Sequence, residues 1–260
     1  MRGDAAMTDA SRRRVLRVSG PGARDFLQGL VTNDVEKLDA GAVYAAMLTP
    51  QGKYIADFFL VEDGDAVLVD VADFQADDLV KRLTLYKLRA PVEIEATGLR
   101  VRRGTGDPAP DGAVADPRHP ALGWRLYGAE EGDDGTDWDA VRVAHCIPEA
   151  GSELTPDSFI LEAGFERLNG VDFRKGCYVG QEVTARMHHK TELRKGLATV
   201  ELEGSAEPGA RIESDGKAAG TIHTRAGDRA IAYLRLDRVG PEMSAGQARV
   251  RLAGEAARPA

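Results

Sequence analysis

The chain has 260 residues, with 34 basic against 42 acidic side chains for a net charge of −8, and two cysteines, Cys146 and Cys177. That length buries a substantial core without disulfide help, and the acidic balance excludes a general nucleic-acid or anionic-membrane surface, leaving room only for a local basic pocket. Two cysteines make no disulfide framework and no Cys/His spacing matches structural zinc, so a reducing compartment is expected and no metal ligand set is assigned. The first residues, Met1 to Met7, contain no apolar stretch of the signal-peptide kind, and no run approaches the roughly 18 apolar residues of a membrane span. A cytoplasmic protein is expected, with Met7 a second possible start.

In chain order, Arg13 to Val18 predicts a strand and Ser19 to Gln28 the turn and helix after it, with Pro21 at a first-turn position. Gly20-Pro21-Gly22-Ala23-Arg24-Asp25 fails as a dinucleotide fingerprint, because Asp25 stands where the third glycine belongs and proline occupies the phosphate turn. Val43 to Leu48 and Tyr54 to Val61 predict strands joined by the turn Thr49-Pro50-Gln51-Gly52-Lys53; with Ala66 to Val71 they make an antiparallel meander. Gly52-Lys53 is no phosphate loop, since Met47 replaces the earlier glycine and Tyr54 the magnesium-binding hydroxyl. Asp73 to Tyr86 predicts an amphipathic helix with Phe74, Leu79, Val80, Leu83 and Tyr86 as its apolar face. Asp77 and Asp78 come early and Lys81 and Arg82 later, as the helix dipole favours.

Val92 to Ala96, Leu99 to Arg103 and Trp124 to Tyr127 predict short strands, and Gly104 to Gly112 a surface loop. The acidic run Gly128 to Asp137 reads as a solvated connector. Trp138 to Ile147 predicts a helix, which puts Cys146 on a packed segment and gives His145 a structural role. After His188 the pattern changes to short strands, Leu197 to Leu202, Ala210 to Ile212, Ala218 to Thr224, Ala230 to Leu236 and Ala248 to Leu252. Turns at Glu203 to Gly209, Ser214 to Lys217 and Gly240 to Met243 separate them, and the spacing predicts a small β-barrel. The domain change is placed near His188-His189-Lys190-Thr191, giving a first region 1–187 and a barrel domain 188–260. The adjacent histidines have no carboxylate or cysteine at a matching offset for metal. The tail from Gly254 is expected to be disordered.

One stretch, Gly170 to Arg186, reads as chemistry. Arg174-Lys175-Gly176-Cys177 sets a thiol directly after two cations, and nearby positive charge stabilises the thiolate and raises its reactivity. Gly176 and Gly180 flank Cys177-Tyr178-Val179 and suggest a shaped loop. Gln181, Glu182 and Arg186 then bring an amide, a carboxylate and a guanidinium into reach of a planar polar ligand. A lone cysteine is more often a small buried hydrophobe than a nucleophile, and the residues alone leave that choice open.

Lys175-Gly176-Cys177-Tyr178-Val179-Gly180-Gln181-Glu182 resembles the signature of the YgfZ family, folate-binding relatives of the glycine-cleavage aminomethyltransferase. Leu16 to Pro21, Phe26 to Val35 and Leu48 to Lys53 resemble the same family's amino-terminal blocks, and Leu161-Glu162-Ala163-Gly164 matches the aminomethyltransferases' pterin-binding segment. The resemblance implies an α+β, aminomethyltransferase-like folate-binding fold: antiparallel sheets with helices plus a C-terminal small β-barrel, in a ring-like three-part arrangement with folate in its channel. It implies Cys177 as the functional residue, and Glu162, Arg174, Lys175, Tyr178, Gln181 and Arg186 as residues that bind tetrahydrofolate. The function implied is support of iron–sulfur cluster assembly or repair in client enzymes, tRNA-modifying enzymes among them. On that reading the chain is an accessory factor in preference to an enzyme, with iron–sulfur client proteins as partners and no direct contact with nucleic acid or membrane.

Two other readings stand beside it. A folate-dependent aminomethyl or one-carbon transferase would manage a proton with a carboxylate; Gly52 to Asp57 resembles that segment, but Ala56-Asp57 keeps only half of its acidic pair, which leaves Asp57 as the candidate. A hydrolase with Cys177 as nucleophile and His188 or His189 as base lacks an identifiable third, orienting residue.

Overall fold

The structure, a computed structural model, describes residues 12–190 and 193–254. The expectations for Met1 to Met7, for Thr191 and for the tail beyond Gly254 fall outside them. The chain forms two compact units, one made of residues up to Thr136 together with Asn169–Gln181, the other of Asp137–Leu168 together with the chain from Glu182 onward.

The first unit is built on a five-stranded sheet of β1 (Arg13–Ser19), β2 (Val43–Leu48), β3 (Tyr54–Asp63), β4 (Ala66–Ala72) and β5 (Glu93–Ala96) in the order β2-β3-β4-β1-β5. All its pairings are antiparallel. The meander expected from the turn residues is β2-β3-β4. Strands β2 and β4 are buried along their whole length, which explains their near-continuous apolar runs: both faces of the sheet are covered. One face carries Leu16, Val18, Met47, Phe58 and Val69 against α1 (Ala23–Gln28) and α2 (Asp73–Lys87). The other carries Val15, Val61 and Leu68 against Val101 of a second sheet, made of β6 (Arg100–Gly104), β7 (Val114–Ala115), β8 (Trp124–Gly128) and β9 (Gly132–Asp133).

Charge is buried between those two sheets. Asp70 of β4 accepts from Arg13 at 2.6 Å and from Arg125 of β8 at 2.6 Å, and Arg125 lies 4.0 Å from the centre of the Phe59 ring. Burial alone would raise the Asp70 carboxyl; Arg125 and Arg13 reverse the sign and hold it below the usual range.

The second unit is a closed barrel, β10 (Lys195–Glu203), β11 (Arg211–Ser214), β12 (Lys217–Ala226), β13 (Arg229–Arg235), β14 (Met243–Ala245) and β15 (Ala248–Leu252), in the order β10-β13-β12-β11-β14-β15 with β15 returning to β10. Its narrow interior is filled by small residues, Ala198, Ala219, Ala230, Ala232 and Ala248 among Val200, Ile212, Ile222 and Val250, and closure leaves no unpaired strand edge. Helix α3 (Trp138–His145) packs on it, with Thr199 donating to the Val143 carbonyl at 2.8 Å. No helix among the described residues is long and apolar enough to cross a membrane.

Four local expectations need correction. Phe74 and Tyr86 do not belong to the buried face of α2, which is Ala76, Leu79 and Leu83; Phe74 sits roughly 200° around the helix from Ala76, and a small alanine carries too little hydropathy to mark the true stripe. Pro21 lies in the turn ahead of the helix, whose N-cap is Gly22. Met243 opens a barrel strand instead of closing a turn, and Gly132–Asp133 in the acidic connector adds a short parallel strand to β6.

Candidate functional site

Residues Asn169 to Asp172 dock on the turn after α1. Thr32 donates to the Gly170 carbonyl at 2.7 Å while its own carbonyl accepts from the Asp172 N–H at 3.0 Å, and Asn33 donates to the carbonyls of Tyr44 and Asn169. Asp172 is buried, accepts from the Arg174 N–H at 2.7 Å and pairs with Lys37 at 2.7 Å. Burial works against its ionisation, but Lys37 and the backbone donors outweigh it and hold its carboxyl below the usual range. No hydropathy pattern marks these polar anchors in the sequence: Thr32 and Asn33 lie between Leu30-Val31 and the acidic Asp34, yet both are buried.

Lys175 is only 7 % exposed. Its ammonium donates to the carbonyls of Gln28 at 2.8 Å, Val31 at 2.6 Å and Asn33 at 2.8 Å. The last carbonyls of a helix have no internal partner and carry partial negative charge; Lys175 caps that end of α1 and the turn beyond it. All three of its N–H donors are used within the protein. Burial draws its pKa down to about 8, against the opposing pull of Asp34 and Asp172.

Tyr178 is buried, with the Lys175 ammonium 5.2 Å from the centre of its ring. Gly180 has φ 87°, and a Cβ built there would lie 2.6 Å from the Thr49 carbonyl oxygen and 2.9 Å from the Leu48 Cβ. Only glycine meets both conditions, so the loop seats against the β2–β3 turn. Gly176 has nothing within 4 Å of such a Cβ. Between these anchors Cys177 is exposed, as is Arg174. Of the two cations preceding the thiol, then, Lys175 is turned inward and Arg174 remains at the surface.

Gln181 opens α4 (Gln181–Lys190), a helix not expected from the sequence. Along it Arg186 pairs with Glu182 at 2.8 Å in an exposed i,i+4 bridge, so the guanidinium and carboxylate answer each other first. His188 lies 3.1 Å from Glu166. Among the described residues no three His, Cys, Asp or Glu side chains are grouped as a metal site. Asp57 is buried on β3 and accepts from the hydroxyls of Tyr44 at 3.0 Å and Tyr54 at 2.5 Å.

Glu162 belongs to the second unit. Its neighbours Leu161 and Ala163 are buried, its backbone carbonyl accepts from the Leu197 N–H of β10 at 2.8 Å, and its carboxylate accepts from the Tyr233 hydroxyl at 2.6 Å. Burial and the Glu162 carboxylate both push the Tyr233 phenol up, so it stays protonated and donating. Phe159, Glu162, His223 and Tyr233 line a cavity of about 160 Å³. The predicted residues thus divide: Arg174, Lys175, Cys177, Tyr178 and Gln181 belong to the first unit, Glu162 and Arg186 to the second.

The two cysteines differ in a testable way. Cys146 is 8 % exposed, and burial pushes its thiol up to about 11. One equivalent of a maleimide is expected to label the folded protein, at Cys177, with the second label entering at Cys146 only in guanidinium; peptide mass spectrometry reads both.

Residues 194–259 match the CAF17 C-terminal beta-barrel domain and residues 1–98 the GCVT N-terminal domain. The mouse mitochondrial iron–sulfur cluster assembly factor IBA57 is 32 % identical over 87 % of this chain and 76 % of its own length. The homologue from Mycosarcoma maydis is 34 % identical over 75 % of this chain, which spans 57 % of that longer protein. The crystal structure of glycine cleavage system aminomethyltransferase T from Bartonella henselae superposes with a TM-score of 0.73 at 13 % identity, covering 93 % of this chain and 82 % of that one. The fold is therefore that of the aminomethyltransferases with a closed six-stranded barrel at its C-terminal end. The signature suggested the YgfZ branch, whereas the relatives matched carry the IBA57 name. They are also mitochondrial by name, which overturns the cytoplasmic expectation. Composition misled there because charge and cysteine usage register a reducing compartment, and cannot tell one reducing compartment from another.

Proposed function

Because the chain belongs to the family of the IBA57 iron–sulfur cluster assembly factors, we propose that it serves iron–sulfur cluster assembly in client enzymes through Cys177. The observation that carries this is the exposed thiol on a loop fixed on both sides, by buried Lys175 before it and by Gly180 after it. Thiolate is the usual protein ligand of iron–sulfur clusters, and a thiol that meets a cargo on another protein has to stand at the surface on a frame that does not collapse. Removing the gene and assaying several iron–sulfur enzymes tests the reading: their activities fall together and recover with the intact chain. Full activity of all of them without the gene would dispose of it.

Tetrahydrofolate is the ligand we assign to the Glu162 cavity. The donor set suits a pterin: a carboxylate accepts N–H bonds from the ring's amidine edge, and Phe159 and Tyr233 stand beside it. At about 160 Å³ the cavity suits a head group, below the roughly 300–1,000 Å³ that enclose a whole drug-sized ligand. Tetrahydrofolate, when bound, supplies a one-carbon carrier. Glu162 orients the ring, and Tyr233 holds one carboxylate oxygen so that the other is presented. Glu162→Ala is expected to weaken tetrahydrofolate binding by about 1–3 kcal/mol, roughly 5- to 150-fold, measured by calorimetry. Unchanged affinity would remove Glu162 from the site.

A further inference from the structure

Helix α2 carries a surface that neither the thiol loop nor the Glu162 cavity uses. Its inner side is buried through Ala76, Leu79 and Leu83, while Leu85, Tyr86 and Leu88 at and just past its C-terminal end are 72 %, 38 % and 87 % exposed. Lys81 and Arg89 are exposed near them, with Lys87 half-buried, and among the described residues none of the three cations is paired with a carboxylate. The other end of the same helix behaves differently. There Asp73 and Asp77 hold Arg14, and Asp78 holds Arg82. In a chain with acids in excess, unpaired cations around a cluster of exposed apolar side chains are a specific arrangement.

Leu88 sharpens the point. Its φ is 43°, a conformation glycine adopts freely and a leucine only under strain, and helices commonly end on glycine for that reason. A glycine there would relieve the strain and remove an exposed leucine in one step. Strain kept where a cheaper residue exists marks a position held for something other than folding.

We propose that this end of α2 docks an acidic protein surface with an apolar centre. Leu85, Tyr86 and Leu88 bury against that centre, and Lys81, Lys87 and Arg89 face carboxylates around it. Tyrosine and arginine are the residue types that dominate such contacts, and opposite charge at the rim sets encounter rate and partner choice. An anionic membrane fits less well: the apolar residues occupy one end of the helix instead of its length, and a net charge of −8 opposes approach.

The test places the photocrosslinker p-benzoylphenylalanine at Leu85 in the full chain, expressed in cells lacking their own copy, with Asp65 as the exposed control position. The expected result is a covalent adduct at 85 and not at 65 with a protein that mass spectrometry identifies as acidic. Its yield falls at least tenfold when Lys81→Glu and Arg89→Glu are added. An adduct with a second copy of this chain, a lipid adduct, no adduct above the control, or a yield indifferent to the charge reversals each overturns the proposal. Leu88→Gly separates docking from folding: the melting temperature is expected to hold or rise while the adduct yield drops. A lower melting temperature would make Leu88 a structural residue and overturn the reading of its strain.

Discussion

Lys175→Met should destabilise the first unit by about 3 kcal/mol, or about 1 kcal/mol for each of three buried acceptors, the low end of the roughly 1–3 kcal/mol expected when one is left without a donor. Three carbonyls lose their partner at once, those of Gln28, Val31 and Asn33, and methionine offers them nothing. The low end applies because the variant also regains the cost of burying a charge, which is what draws the wild-type ammonium down to about 8. That opposing effect gives the prediction a pH signature. In the folded chain Lys175 releases its proton near pH 8, whereas the unfolded chain keeps it to about pH 10.4, so between those values the unfolded state binds more protons and wild-type stability from this group rises with pH. The stability difference between wild type and Lys175→Met is therefore expected to widen from pH 7 to pH 9.5 in urea denaturation. Hydrogen exchange at the Thr32 and Asp172 amides should quicken most, since the first lies in the turn that Lys175 caps, donating to the Ala46 carbonyl, and the second in the segment docked on that turn. A variant as stable as wild type would mean that the three carbonyls find water and that Lys175 is not what fixes the loop.

Much of the fold was legible because its periodicities are strong. The β2-β3-β4 meander, α2, α3 and five of the barrel strands follow from apolar alternation and turn residues, which act locally. What was not legible depends on partners remote in sequence. Lys175 reads as a cation beside a thiol; only the fold shows that its acceptors lie up to 147 positions earlier, at Gln28. Asp70 sits within the apolar run Ala66 to Ala72, a pattern that signals a buried partner without naming it, and the partners are Arg13 and Arg125 on two other strands. The stretch Arg174 to Gly180 mixes two kinds of residue under one pattern. Lys175 and Gly180 frame the loop, whereas Cys177 and Arg174 are what the loop exposes.

That division makes Cys177→Ala the complementary experiment. An exposed thiol contributes little to packing, so the variant should match wild-type stability within about 0.5 kcal/mol while failing to restore iron–sulfur enzyme activities in cells lacking the gene. Cys177→Ser tests the chemistry: it keeps size and a polar atom but cannot supply a thiolate, and it is expected to fail as completely as alanine. Cys146→Ala is the opposite control. Its thiol is buried and pushed up to about 11, so substitution should lower stability by about 1 kcal/mol and leave the folded fraction fully active. Lys175→Met should lose both properties, because the frame and the thiol it presents fail together. If Cys177→Ala rescues the client enzymes as well as the intact chain does, the exposed sulfur is incidental and the loop serves some partner through its backbone or through Arg174.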